Sequence, residues 1–153
     1  MKVFNHPFTF DFIRYTYFSF KKKNSLIRLT HNFFLKKIKV TGKTIDLGSG
    51  DGSNLTYYDF IDNVNAKIEK VDYFKNAETK IDLEQKFSIN ENQYDAVILF
   101  NTIEHIENYK NLISEIHRIL KINGSLELFV PFLVLYHPDP KDIFRPTHFY
   151  LEK

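Results

Sequence analysis

The chain is predicted to fold as an α/β domain built on a doubly wound, mostly parallel sheet with flanking helices. Three observations carry this expectation. Strand-like and helix-like segments alternate from Thr44 onward, the order that builds a parallel sheet through crossover helices. Tyr94 to Phe100 is almost wholly apolar after Asp95, as a parallel strand covered on both faces requires. A glycine loop, Asp46-Leu47-Gly48-Ser49-Gly50-Asp51-Gly52, leads from the first strand toward a helix.

Residues 7 to 20 have an ambiguous period, and both a short helix and an extended segment stay open. From Asn24 or Ser25 as N-cap, Leu26, Ile27, Leu29, Phe33, Phe34 and Ile38 form a wide apolar face. That spacing predicts a helix near 25–40, ended by Thr41-Gly42-Lys43. Thr44-Ile45-Asp46-Leu47 reads as a short buried strand. Ser53 is placed to cap a helix running to about Ile61, Ala66 to Tyr73 reads as a second strand ending near Asp72, and Ile81-Asp82-Leu83 as a short third. Tyr94 to Phe100 should be central. Leu112, Ile113, Ile116, Ile119 and Leu120 fall at helical spacing, and Asn123-Gly124 supplies a stop before a strand from Ser125 to Val130.

With 153 residues, 43% hydrophobic and 26% charged, the composition suits one domain with a real core. It divides into a basic, aromatic N-terminal segment, 1–43, and a ligand-binding domain, 44–153. The lack of cysteine argues against disulfide frameworks, thiolate metal sites and cysteine nucleophiles, and fits a reducing compartment. The longest apolar run, Leu128 to Tyr136, contains Pro131 and falls well short of the roughly 20 residues a spanning helix needs. No signal peptide is visible, so a cytoplasmic protein is expected. No His/Asp/Glu cluster has metal-ligand spacing, and none is expected to hold a metal.

The net charge of +2 conceals an asymmetry. Residues 1–43 hold ten Lys or Arg against the single acid Asp11, whereas the remainder holds 11 basic and 18 acidic residues. Aromatics interleave with the charges of the head, which suits an anionic membrane surface, a polyanionic substrate or nucleic acid. A plain solvated basic face, its aromatics packed on the domain, is the competing reading.

Where a strand turns into a helix, backbone N–H groups and the helix N-terminus can meet a ligand, provided that side chains do not block the approach. Gly48, Gly50 and Gly52 give that clearance. Their spacing is not the dinucleotide pattern Gly-x-Gly-x-x-Gly, and no Gly-Lys-Ser/Thr follows to make a phosphate loop. Asp46, at the strand end, is suited to a ligand ammonium group. Asp72, at the end of the next strand, is suited to two ribose hydroxyls.

Taken in order, Thr44 to Gly52, Val71-Asp72, Ile81-Asp82-Leu83, Tyr94-Asp95-Ala96-Val97, Ile103-Glu104-His105-Ile106 and Glu115 to Gly124 resemble the class I S-adenosylmethionine-dependent methyltransferases, in particular the group labelled methyltransferase type 11. The resemblance runs from about Thr44 to Leu151. It implies a Rossmann-like fold and S-adenosylmethionine as cofactor. Asp46 with Gly48, Ser49, Gly50 and Gly52 would hold its methionyl end, Asp72 beside Tyr73 its ribose, Asp82 and Leu83 its adenine, and Asn101 would face the methyl-donor end. The segment from Val130 through His137 to Thr147 resembles a narrower subset linked to bacterial surface-polysaccharide and other glycan pathways. It is read either as a substrate loop or as a loop locked by prolines and an Asp142 to Arg145 ion pair.

The implied function is methyl transfer to a small-molecule or glycan-type acceptor. Such an in-line displacement needs alignment above all, and a hydroxyl acceptor also needs a base, for which His105 and His137 are the candidates. His31 and His117 read as packing or surface residues. A nucleic-acid substrate is disfavoured, since Asn101 is followed by Thr102-Ile103-Glu104 rather than by the Pro-Pro-aromatic run of base amino-group methylases. Class I domains usually continue past the fifth strand with a helix and an antiparallel hairpin, and the expectation is that this hairpin is lacking. Three explanations stay open: a truncated version of a longer enzyme, a minimal domain whose sheet edge is covered by a partner, a second copy or the N-terminal segment, or a degenerate domain that binds cofactor without turnover. The alternative function is a non-catalytic or partner-completed S-adenosylmethionine-binding domain.

Overall fold

Alternation along the strands decides how the layers assemble. A computed structural model describes residues 9–20, 26–50, 56–73, 79–131, 135–136 and 141–151. Its sheet has five strands, β1 (Gly42–Leu47), β2 (Ala66–Asp72), β3 (Thr79–Lys80), β4 (Tyr94–Phe100) and β5 (Leu120–Phe129). They lie in the order β3-β2-β1-β4-β5, and every neighbouring pair is parallel. Among the described residues four α-helices accompany them: α1 (Phe10–Phe20), α2 (Leu26–Leu35), α3 (Tyr109–Ile119) and the single turn α4 (His148–Leu151).

Successive side chains of a strand point to opposite faces. Ile45 and Leu47 of β1, Val71 of β2, and Val97 and Leu99 of β4 therefore form one face, buried with Leu112, Ile116 and Ile119 of α3. Ala96, Ile98 and Phe100 of β4 form the other, packed with Leu35 of α2, Val40 and Ile61. Each such aliphatic side chain, once fully buried, contributes roughly 1.5–3 kcal/mol. The chain proceeds from β1 to β2 on one side and returns to place β4 on the other. Strand order thus reverses between β1 and β4, the point at which open α/β sheets bind ligands.

The doubly wound reading holds, with corrections to individual elements. Strand β4 is an interior strand between β1 and β5, as its apolarity predicts, while the midpoint of the five falls on β1. Helix α2 stops at Leu35 instead of about Val40. Val40 N donates to Asp62 O at 2.9 Å and Asp62 N to Ile38 O at 3.0 Å, which draws Ile38 to Val40 out as an extended margin of the sheet. The third strand is Thr79–Lys80, ahead of Ile81-Asp82-Leu83. Asp82 instead starts a turn, with Glu84 N donating to its Oδ1 at 2.9 Å, the local bonding that makes aspartate a turn residue.

Residues 10 to 20 resolve as helix. The helix expected from Ser53 begins outside the described residues, and what is described there is a 3₁₀ turn, Thr56–Asp59. Asn123-Gly124, read as a helix stop, is part of an irregularity within β5: the register steps from Tyr94↔Leu120 to Ala96↔Ser125. Asn123 takes φ 65° there, a left-handed conformation that asparagine tolerates. The regular ladder starts at Ser125.

Helix α3 is pinned to the loop ahead of β4 by a charged network. Phe87 N donates to Glu115 Oε2 at 2.8 Å, Arg118 donates to both Glu115 oxygens at 2.9 and 2.6 Å, and it reaches Ile89 O at 2.7 Å. The Arg118 guanidinium and the Phe87 amide hold the Glu115 carboxyl below its ordinary range. Arg118→Met keeps the stem and strands Glu115, which is 7% exposed. It should lower stability by about 2 kcal/mol in urea unfolding, with the loss shrinking as pH falls and Glu115 protonates.

After β5 the chain returns to the α3 side. Ile143 N and Phe144 N donate to Glu104 O at 2.9 and 3.3 Å, and the Phe144 ring stacks on Tyr109 with centroids 4.2 Å apart. Among the described residues β5 is the outer strand and no antiparallel pair follows it. No described helix is long and apolar enough to cross a membrane.

Candidate cofactor site

The carboxyl ends of β1, β2 and β4 bring the predicted residues together. Asp46 is 1% exposed and points to the α2 side, since Ile45 and Leu47 point to the other. Its Oδ2 accepts hydrogen bonds from the hydroxyls of both Tyr57 and Tyr58, whose rings lie 4.6 Å apart. Lys70 stands over the Tyr58 ring at 5.1 Å. Burial pushes the Asp46 carboxyl up from 3.8 to about 6, helped by the nearby Asp72 and opposed by the two hydroxyls and Lys70. The Tyr57 hydroxyl is also pushed strongly upward, by burial first and then by the charge of Asp46.

The glycine turn is folded onto the end of β2. Gly48 N and Ser49 N donate to Val71 O at 2.9 and 3.2 Å. Gly50 N donates to Asp72 Oδ2 at 2.5 Å, and Tyr73 N to Asp72 Oδ1 at 2.6 Å. Asp72 thus clasps the turn from β2. Gly48 has φ +81°, and a β-carbon on it would lie 2.3 Å from Thr102 Oγ1. Gly50 has φ +69°, yet a β-carbon there would meet nothing within 4 Å. Gly48 is needed for close packing; Gly50 is needed for its positive φ, and among the described residues nothing closes over it.

The remaining predicted residues are more scattered. Asn101 follows β4 with φ 50°, is exposed, and donates its N–H to Phe129 O at 3.0 Å. Asp82 is exposed at its turn, whereas the Leu83 side chain is buried in the α3-side core. The Tyr73 ring is 72% exposed. Gly52 and His137 lie outside the described residues. His105 is held by its Nδ1 on the Lys141 carbonyl, so that nitrogen carries the proton, and its Nε2 sits 3.9 Å from Glu104 Oε1. Asp142 and Arg145 form the internal ion pair weighed from the sequence.

Sequence reasoning missed Tyr57 and Tyr58, which are the hydroxyl partners of Asp46, and Thr102, which backs Gly48. It read His31 as packing, and the ring does stack on Phe129 at 3.8 Å and lie edge-on to Phe100 at 5.9 Å. Those two phenylalanines end β5 and β4, so α2 closes over the carboxyl edge of the sheet. Tyr57 meets Phe100 from the other side at 5.4 Å.

Comparison with known families decides what this edge belongs to: residues 18–142 match the family model described as "Methyltransferase domain". The chain belongs to the methyltransferase-domain family. No curated protein matches it. Among solved structures, the methyltransferase domain is similar to a Methanococcus maripaludis protein assigned as an S-adenosyl-L-methionine-dependent methyltransferase, with 18% identity over 82% of this chain and 67% of that one and a TM-score of 0.50. It is equally similar to the complex of the Trm112 methyltransferase activator with a protein assigned as a methyltransferase from Haloferax volcanii, at 16% identity, 74% and 55% coverage and a TM-score of 0.50. The cyclase SpnF shares the fold as well, at 18% identity, 65% and 43% coverage and a TM-score of 0.50. These likenesses establish the Rossmann-like fold. The chain spans about half the length of the solved relatives YcgJ of Bacillus subtilis, the Haloferax complex and a Bacillus halodurans protein, at 50%, 55% and 49%.

The methyl donor of this family is S-adenosylmethionine, and the residues present fit it. Two carboxylates at neighbouring strand ends match an ammonium group and a ribose diol in chemistry. Among the described residues nothing crowds Gly50 on the side a ligand would approach.

Proposed function

We propose that this methyltransferase domain binds S-adenosylmethionine across the carboxyl ends of β1, β2 and β4 and transfers its methyl group to a small-molecule or glycan-type acceptor. The observation that carries the reading is the convergence of Asp46, Asp72 and the open turn at Gly50 on the point where strand order reverses. The sulfonium supplies an activated methyl group, so the chain's own task is to bind, align and exclude water. Asp46 pairs with the ammonium group, Asp72, its carboxylate oriented by the Gly50 and Tyr73 amides, presents the ribose subsite, and Asp82, Leu83 and Asn101 flank the adenine and methyl-donor ends. Phe100, Phe129 and His31 wall the acceptor side against water. Of the two imidazoles proposed as base, His105 can act only through Nε2, because Nδ1 is committed to Lys141. The cytoplasm, where the methyl donor is made, is the proposed compartment.

A second reading, a cofactor-binding domain completed by a partner or a second copy, is favoured by the position of β5 as outer strand. Calorimetric titration with S-adenosylmethionine and S-adenosylhomocysteine tests both. Saturable binding is expected, and a folded chain that binds neither at millimolar ligand would sink the cofactor assignment. Asp72→Ala should weaken binding by roughly 1.5–3 kcal/mol, through loss of charge-assisted bonds to the ribose and of the clasp on the turn. Unchanged affinity would remove Asp72 from the site. Turnover on a glycan acceptor separates the catalytic reading from the binding one.

A further inference from the structure

Helix α1 is apolar on the side turned to α2 and apolar on the side turned to solvent. Its inner residues Phe12 and Tyr15 meet Phe33 of α2 at 5.2 and 5.4 Å. Its outward residues are Phe10, Ile13, Tyr17 and Phe18, exposed by 78%, 55%, 63% and 58%, with exposed Arg14 among them. Positions 10, 13, 14 and 17 recur at helical spacing, so they form one stripe. A helix at a protein's surface ordinarily presents polar residues there, and one that is hydrophobic all round is covered by something.

We propose that this face docks on an anionic lipid surface, with α1 lying in the plane of the headgroups and Phe10, Ile13, Tyr17 and Phe18 reaching into the boundary with the acyl chains. Charge selects this occupant. The segment 1–43 carries ten basic residues against Asp11, and Lys21-Lys22-Lys23 follows α1 directly in sequence. Exposed Lys36 and Lys37 sit beside the helix pair, Lys36 over the Tyr15 ring at 4.4 Å. Lysines of this kind suit the headgroup level, where the stems lie along apolar surface, as Lys36 does on Tyr15, and the ends meet lipid phosphates. A second copy of the chain would bring two strongly basic segments face to face. A nucleic acid would need cations spaced along its phosphates, whereas among the described residues the exposed side of α1 offers one cation, Arg14, and also the acid Asp11.

The placement has a geometric consequence. In the helix that supports α1, Phe33 contacts α1 while His31 stacks on Phe129 at the carboxyl end of β5. One helix therefore separates the bilayer from the carboxyl edge of the sheet.

Sedimentation of the full chain with vesicles tests the proposal and does not depend on the cofactor. Binding is expected to phosphatidylcholine vesicles containing phosphatidylserine and not to phosphatidylcholine alone, and to fall at least about tenfold between about 0.05 M and about 0.5 M salt as the charges are screened. The double variant Phe10→Ser, Ile13→Ser, with the fold checked by circular dichroism, should lose a further tenfold or so at low salt. Several outcomes would overturn the proposal: equal binding to neutral vesicles, no binding to either, or a variant that binds as the parent does. It would equally fail if the parent were a dimer in gel filtration that the variant dissolves, or if a single-stranded RNA displaced it from vesicles.

Discussion

Gly48→Ala is expected to destabilise the domain by about 3 kcal/mol, seen as a lower urea midpoint at unchanged slope. Two costs combine. Gly48 holds φ +81°, where an L-residue pays roughly 1–2 kcal/mol. The new methyl group would also stand 2.3 and 2.5 Å from Thr102 Oγ1 and Cγ2, and overpacking of this kind costs typically 1–3 kcal/mol. Thr102 cannot easily turn aside, because its hydroxyl donates to Phe100 O at 3.0 Å. The two parts are separable. Thr102→Ala alone should cost about 1 kcal/mol for the lost hydrogen bond. The double variant Gly48→Ala, Thr102→Ala should be more stable than the sum of the singles implies, by about 1 kcal/mol or more, because the backbone cost stays while the clash goes. Additive behaviour would mean that the turn relaxes and that Thr102 does not constrain it.

Asp46→Asn is expected to do the reverse at neutral pH and raise stability by about 2 kcal/mol, while abolishing measurable binding of the methyl donor. In the unfolded chain Asp46 ionises near 3.8, in the folded domain at about 6. Below about pH 4 it is protonated in both states and burial exacts nothing. As pH rises from about 4 to 6, the unfolded chain loses its proton first and stability falls. Above pH 6 the full penalty, on the order of 3 kcal/mol for a shift of about two units, is in place. Asparagine cannot ionise, and its amide oxygen still accepts from a tyrosine hydroxyl, which is why most but not all of the penalty is recovered. The gap between variant and parent should therefore open between pH 4 and 6 in parallel unfolding curves. A variant less stable than the parent at pH 7.5, or a gap that does not change with pH, would show that burial does not dominate at Asp46.

The positions of Asp46 and Asp72 were legible because alternation fixes which face a strand-end residue takes, and both strands have clear patterns. The glycine turn was legible for a similar reason: its residues are contiguous, and Gly48 and Gly50 both take a positive φ. The hydroxyl partners of Asp46 were not. Tyr57 and Tyr58 lie in a short turn whose rings also serve the α2-side core, so no periodicity distinguishes a core tyrosine from one that bonds a carboxylate. The commitment of His105 to Lys141, 36 residues onward, is likewise a tertiary accident of how the chain returns after β5. The third strand was misplaced by two residues because the aliphatic residues Ile81 and Leu83 signal a strand, while Asp82 between them signals a turn, and the turn prevails.

The bonds from Tyr57 and Tyr58 to Asp46 also make the domain its own optical reporter. The sequence has nine tyrosines and no tryptophan, so emission excited to the red of phenylalanine absorption comes from phenols, and a phenol bonded to a carboxylate is quenched. An ammonium group drawn to Asp46 would compete for the oxygen that both hydroxyls share. Arrival of a ligand at the carboxyl end of β1 should then brighten the protein without a label.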